Sequence, residues 1–186
     1  MTGESGIEPV ELWMDGWLLR PPQPVDTADA LAMLTDPDVR HWNPVPSVAD
    51  AGTAGEWLTR GADWRGGDHA SFSIVEAASG RFAGNVSLHR IDREQANASI
   101  GYRVAAWARG RGAATAAVTE VTEWSFASLG IERVELCHAV ANPASCRVAV
   151  KAGYAMEGTL RQSWAHDDGN RYDEHIHGRL ASDPKP

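Results

Sequence analysis

The sequence predicts an α/β fold of the α+β kind, with helices flanking a mixed central sheet. Three observations predict it. Alternating apolar stretches of strand length fill the middle of the chain and return near its end. Stretches with helical spacing lie before, between and after them. One strand also runs through a glycine-bearing loop directly into a helix. The implied order is strand, two helices, three strands, helix, strand, helix, two strands. A chain of 186 residues suits one domain covering 1–186, ordered over roughly 12–180, with loose ends at Met1–Pro9 and Ala181–Pro186.

Trp17–Leu19 reads as the first strand, stopped by Pro21-Pro22. Asp26 is placed to cap a helix carrying Ala30, Leu31 and Leu34. Asp36-Pro37 breaks that helix, and His41-Trp42-Asn43-Pro44-Val45-Pro46 reads as a stiff loop. Ser47 to Asp50 resembles a capping box with Asp in place of Glu, opening a helix to about Trp64. Ser71–Glu76 alternates, turns at Ala78-Ser79-Gly80-Arg81, and returns as Phe82–Ile91. Ala98–Val104 is the third strand of this block. Val118, Val121 and Trp124 give the stripe of a helix from Ala113 to about Leu129, ended by Gly130. Arg133–Val140 is a strand, and Asn142-Pro143 opens a short helix ending at Gly153. Tyr154–Arg161 and Tyr172–Leu180 form a final hairpin around His166–Asn170.

Composition narrows the function. A formal charge of −8 argues against a nucleic-acid binder, which needs a basic face. The same charge suits a cationic partner, although plain solubility explains it as well. Hydrophobic residues at 43% can build a core without staples, and eight Trp exceed what a core alone needs. Cys137 and Cys146 lack metal-ligand or redox spacing, and Cys146 reads as buried filler. No secretory pattern or membrane-length apolar run is evident, so the cytoplasm is the expected compartment, with no membrane partner.

The most informative stretch is Ile100-Gly101-Tyr102-Arg103-Val104-Ala105-Ala106-Trp107-Ala108-Arg109-Gly110-Arg111-Gly112-Ala113-Ala114-Thr115. The first amides of a helix have no internal partner and carry a partial positive charge. Glycines let such amides close around phosphate oxygens, and Arg109 and Arg111 add charge. The dinucleotide fingerprint fails, because Thr115 stands where Gly or Ala is needed and Trp107-Ala108-Arg109 intervenes after the strand. The P-loop sequence is absent. A glycine-softened helix start with ordinary surface arginines is the structural alternative.

Further motifs decide between these. Arg109-x-x-Gly112-x-Ala114 resembles the Arg/Gln-x-x-Gly-x-Gly/Ala signature of the GNAT N-acetyltransferases. The resemblance includes Ile100-Gly101-Tyr102, Gly130-Ile131-Glu132-Arg133-Val134-Glu135, Asn142-Pro143-Ala144-Ser145 and Lys151-Ala152-Gly153-Tyr154. It closes with Glu157-Gly158-Thr159-Leu160-Arg161 and Asp167-Asp168-Gly169. Asp36-Pro37-Asp38-Val39 before an aromatic-proline loop agrees with the RimJ/RimL-like branch.

This resemblance implies a GNAT fold, in which acetyl-CoA lies where two parallel strands splay, here Ala98–Val104 and Arg133–Val140. It implies pantetheine pairing near Tyr102, Arg103 and Val104, and pyrophosphate on the amides of Arg109, Gly110, Arg111, Gly112, Ala113, Ala114 and Thr115. It adds a contact from Asn142 to pantetheine, and places the Ser145 hydroxyl near the sulfur as a donor to the leaving thiolate. The amine would attack the thioester directly, with no covalent enzyme intermediate and no metal. Many relatives carry Glu where this chain has Ser99, so the general base must be sought elsewhere: Glu135, His138, Asp173 or His177. Asp173, His175 and His177 alternate onto one strand face, which invites a metal reading, but no further ligand is anchored by the sequence.

His41, Trp42 and Asn43 lie where the branch shapes its acceptor pocket, and Trp42 could stack on a cation. The expected acceptor is a primary amine on a protein N-terminus, an amino acid or peptide, or a small molecule. A CoA-binding module without turnover is the alternative, as is a longer acyl group. The tryptophans and family habit suggest a homodimer.

Overall fold

Apolar alternation builds one sheet of eight strands among the described residues, which are 6–43, 45, 47–165 and 169–186 of a computed structural model. The expectations for 1–5, for Pro44 and Pro46, and for His166–Asp168 of the hairpin turn lie outside them. The strands are β1 (Leu12–Met14), β2 (Trp17–Arg20), β3 (His69–Glu76), β4 (Phe82–Asp92), β5 (Asn97–Val104), β6 (Arg133–Ala139), β7 (Ala155–Ala165) and β8 (Arg171–Leu180). They lie in the order β1–β2–β3–β4–β5–β6–β8–β7. Every neighbouring pair is antiparallel except β5 and β6. Gly84 lets β4 and β5 close up, because a Cβ there would meet the Arg103 carbonyl oxygen at 2.3 Å.

The helices are α1 (Thr27–Leu34), α2 (Pro37–Trp42), α3 (Ala51–Ala62), α4 (Ala113–Leu129) and α5 (Pro143–Lys151). Strand alternation divides the core between the two sheet faces. Ala70, Phe72 and Ile74 of β3 join one apolar cluster with Val118, Val121 and Trp124 of α4, where Trp64, Phe72 and Trp124 meet edge to face or tilted. Ala30, Met33, Leu34, Ala54 and Leu58 of α1 and α3 form the other with Phe82. Among the described residues no helix is long and apolar enough to cross a membrane.

Local expectations fail at several places, one of them where a longer-range partner competes. β1 extends the sheet at a segment too short to show a period. Asp36-Pro37 does more than end α1. The Asp36 carboxylate accepts from the amides of Asp38 and Val39 and starts α2, which takes in His41 and Trp42. Asp26 does not cap α1 with its side chain. It is buried, paired bidentately with Arg20 at 2.6 and 2.8 Å, and accepts from the Ser73 hydroxyl at 2.8 Å. A desolvated guanidinium outbids a single helix amide for that carboxylate. The capping box of α3 is Asp50 with Thr53 rather than Ser47 with Asp50, and α3 stops at Ala62. β7 runs past Arg161 to Ala165, and Tyr154 precedes it.

Candidate functional site

β5 and β6 pair only over Asn97–Ser99 with Arg133–Glu135. Beyond that register β5 continues to Val104 and β6 to Ala139, so the strands part. A cleft of about 890 Å³ opens between them. The start of α4 borders it, as do Trp42 and Asn43 at the end of α2, Asn142 and Ser145 at the start of α5, and Trp164 of β7.

The loop into α4 is shaped by two glycines. Gly110 has φ of +75° and Gly112, the residue before the helix, has φ of +85°. A Cβ would meet nothing within 4 Å at either position, so their glycine identity answers to backbone conformation rather than to crowding. The amides of Ala113, Ala114 and Thr115 find no acceptor among the described residues, and these three residues line the cleft. The helix they begin is 17 residues long, so its dipole adds partial positive charge there.

The two loop arginines diverge. Arg109 lines the cleft, but its guanidinium pairs with Asp36 at 2.5 Å and Asp38 at 2.7 Å, tying the start of α2 to the loop. Arg111 does not line the cleft. Its guanidinium pairs with Glu76 at 2.6 Å and lies over the rings of Trp17 and Trp107. The main-chain donors, and not the Arg111 side chain, are what the cleft offers to an anion.

At α5 the Asn142 carboxamide oxygen accepts from the Ser145 amide at 3.1 Å, which makes Asn142 the helix cap. The Ser145 hydroxyl accepts from the Tyr102 hydroxyl at 3.0 Å, across the cleft from β5. Burial pushes the Tyr102 phenol up and keeps it protonated, with the Ser145 bond pulling weakly the other way. Ser145 therefore has its own hydrogen left to give.

The basic groups are arranged differently from what the sequence suggests. His138 is buried with both ring nitrogens engaged: Nδ1 meets the Ala139 carbonyl oxygen at 2.9 Å and Nε2 meets His177 Nε2 at 3.2 Å. A carbonyl only accepts, so Nδ1 carries the hydrogen. His177 is fully buried and does not line the cleft. Asp173 is exposed and accepts from the Gln162 amide, away from the histidines. Glu135 lines the cleft with Arg133 at 3.0 Å. Glu174 and His89 are among the cleft residues not suspected from the sequence. His89 sits directly opposite Ser99 in the β4–β5 register. Its Nδ1 meets the Ser87 carbonyl oxygen at 3.3 Å, which leaves Nε2 with a lone pair. Burial pushes its pKa below the ordinary histidine value, outweighing the Ser87 bond. Antiparallel register with Ser99 is the signal that could have found it, but register is not written in the strand itself.

On the acceptor side, Trp42 and Asn43 line the cleft and His41 does not. The His41 and Trp42 rings meet edge to face at 4.3 Å. Asn43 is latched to β5: its carboxamide nitrogen donates to the Tyr102 carbonyl at 3.3 Å, and its Oδ1 accepts from Arg103 at 2.7 Å. Burial pushes the Arg103 pKa down to about 10, which leaves it charged near neutrality.

Comparison with known proteins bears on this geometry. The acetyltransferase (GNAT) domain matches residues 17–155. A Bacillus subtilis protein named "Putative ribosomal N-acetyltransferase YdaF" is 35% identical over 102 residues, which are 53% of this chain and 55% of the relative. This chain spans about half the length of the first curated relatives it matches. The fold is similar to that of the microcin C7 self-immunity acetyltransferase MccE, solved in complex with acetyl-CoA and AMP. That likeness has a TM-score of 0.80 and 21% identity, covering 90% of this chain and 93% of the other. Mycobacterium smegmatis RimJ, solved in complex with CoA-disulfide, has a TM-score of 0.80 at 23% identity, covering 96% and 88%.

Proposed function

The chain belongs to the GNAT acetyltransferase family, and from that premise we propose that it is of the RimJ/RimL-like branch and moves an acetyl group from acetyl-CoA to a primary amine. The observation that carries this reading is the cleft between the parting ends of β5 and β6, with the unpartnered amides of Ala113–Thr115 at one end. These donors fit a pyrophosphate, and the free edges of the parted strands fit an amide-bearing arm. When bound, acetyl-CoA supplies the acetyl group as a thioester.

The chain's own groups supply the rest. Ser145, which accepts from Tyr102, gives its hydrogen bond to the leaving sulfur. His89 takes the place of the missing carboxylate at Ser99: its free Nε2 removes the amine proton, directly or through water. Glu135 and Glu174 draw an ammonium-bearing acceptor into the cleft, and Trp42 and Trp164 enclose it. His138 is not the base, because neither ring nitrogen is open to an incoming amine.

The acceptor class is a peptide N-terminus, an amino acid or a small amine. The test is thiol release from acetyl-CoA across a panel of these, alongside calorimetry with CoA. Amine-dependent release supports the proposal. Tight CoA binding with no release from any acyl-CoA or amine points instead to a CoA-binding module, the reading that Ser99 favours. The absence of heat with CoA overturns both. The proposed setting is the cytoplasm. A homodimer is also proposed from the tryptophan surplus, and sedimentation as a lone 20.1 kDa species rejects it.

A further inference from the structure

Behind the cleft wall, four side chains from three elements converge: His138 of β6, His175 and His177 of β8, and Cys146 of α5. One ligand atom from each lies within 4.8 Å of all the others. The sequence shows only part of this set. It aligns His175 and His177 with Asp173, but the Asp173 carboxylate accepts from the Gln162 amide and is not one of the four. The β6–β8 register brings in His138, opposite His175, and α5 brings in Cys146.

The surroundings favour ligation over packing. His177 is fully buried, and Nδ1 of His175 is buried without a hydrogen-bond partner among the described residues. Such an orphaned ring nitrogen costs free energy unless something satisfies it. The Nε2 atoms of His138 and His177 stand 3.2 Å apart. Two imidazoles on a tetrahedral zinc ion, at Zn–N of about 2.0–2.1 Å, would stand about 3.3–3.4 Å apart. The other His138 nitrogen holds the Ala139 carbonyl, the outer contact that orients a ligating histidine. Among the described residues only His138 of the four lines the cleft, so the site is closed to substrate.

We propose that His138, Cys146, His175 and His177 form a structural site for a divalent zinc-type ion. Cys146 binds as the thiolate, giving its proton to solvent, and the three histidines bind as neutral imidazoles. Four protein ligands leave no open position, so the ion takes no part in acetyl transfer. It cross-links β6, β8 and α5, and so fixes the helix that presents Asn142 and Ser145. The inference does not depend on what the cleft binds.

The test titrates the chelator-stripped full chain with cobalt(II), then zinc(II). The expected result is one equivalent of cobalt, tetrahedral visible bands, a near-ultraviolet thiolate-to-cobalt band, and displacement by zinc with a rise in Tm. Cys146→Ser removes the thiolate band and Cys137→Ser keeps it. His175→Gln weakens binding by about 100-fold or more, since even outer-shell changes cost about 10–100-fold. The wild-type spectrum decides the matter even if a variant fails to fold. A wild-type chain that binds no cobalt, shows no thiolate band, or keeps that band in Cys146→Ser overturns the site, leaving a hydrogen-bonded histidine cluster.

Discussion

At the scale of the residue, catalysis rests on where hydrogens sit. The Ser145 hydroxyl accepts from Tyr102, and its amide is spent on Asn142. Removing the hydroxyl should therefore cost the leaving group a donor without loosening the helix cap. Ser145→Ala is expected to lower kcat about 10- to 100-fold while calorimetry shows CoA affinity within about twofold. His89 makes a pH prediction. Its pKa is held below the ordinary histidine value, first by desolvation, and a base works only when deprotonated. The acid limb of kcat/KM should then fall below about pH 6.5, with the rate dropping as pH falls through it. His89→Gln should flatten that limb and lower kcat/KM about 100-fold. A wild-type limb that persists in the variant would assign the proton to another group.

At the scale of the element, the loop into α4 and the short helix α2 position the cleft. Gly112 has φ of +85° with open space around it, so an added methyl strains the backbone without a clash. Gly112→Ala should cost about 1–2 kcal/mol in denaturant unfolding, with a matching loss of CoA affinity as the amides of Ala113–Thr115 turn away. Asp36 both caps α2 and holds Arg109. Partial desolvation raises its pKa, but the Arg109 bond and charge and the Val39 and Asp38 amides outweigh it and leave it below 3.8. A carboxylate depressed on folding stabilises above its unfolded value and loses that stabilisation as pH falls through its folded value. The Tm advantage of the wild type over Asp36→Asn should thus be full near neutrality and shrink as pH drops below 3.8.

At the scale of the whole molecule, the buried Arg20–Asp26 pair bonded to Ser73 joins β2, β3 and the start of α1. Both partners are almost fully buried, so truncating one strands the other's charge. Asp26→Ala should cost about 3–5 kcal/mol, read as a lowered Tm. An unchanged Tm would show that water reaches Arg20.

The sequence by itself determined the fold class, the order of the elements apart from β1 and α2, and the glycine loop into α4. These are local: period, caps, and glycines with positive φ leave marks within a few residues. The GNAT motifs are short and ordered along the chain, so the resemblance could be read from them directly. Tertiary structure alone decided which basic groups face the cleft. Pairing register set His89 beside Ser99, and it enclosed His138 between the Ala139 carbonyl and His177. The turning of Asp26 to Arg20 and the arrival of Cys146 among three histidines have the same origin. Each depends on a competition between a near partner and a distant one. The distant partner wins through burial and charge, which no short window of sequence contains.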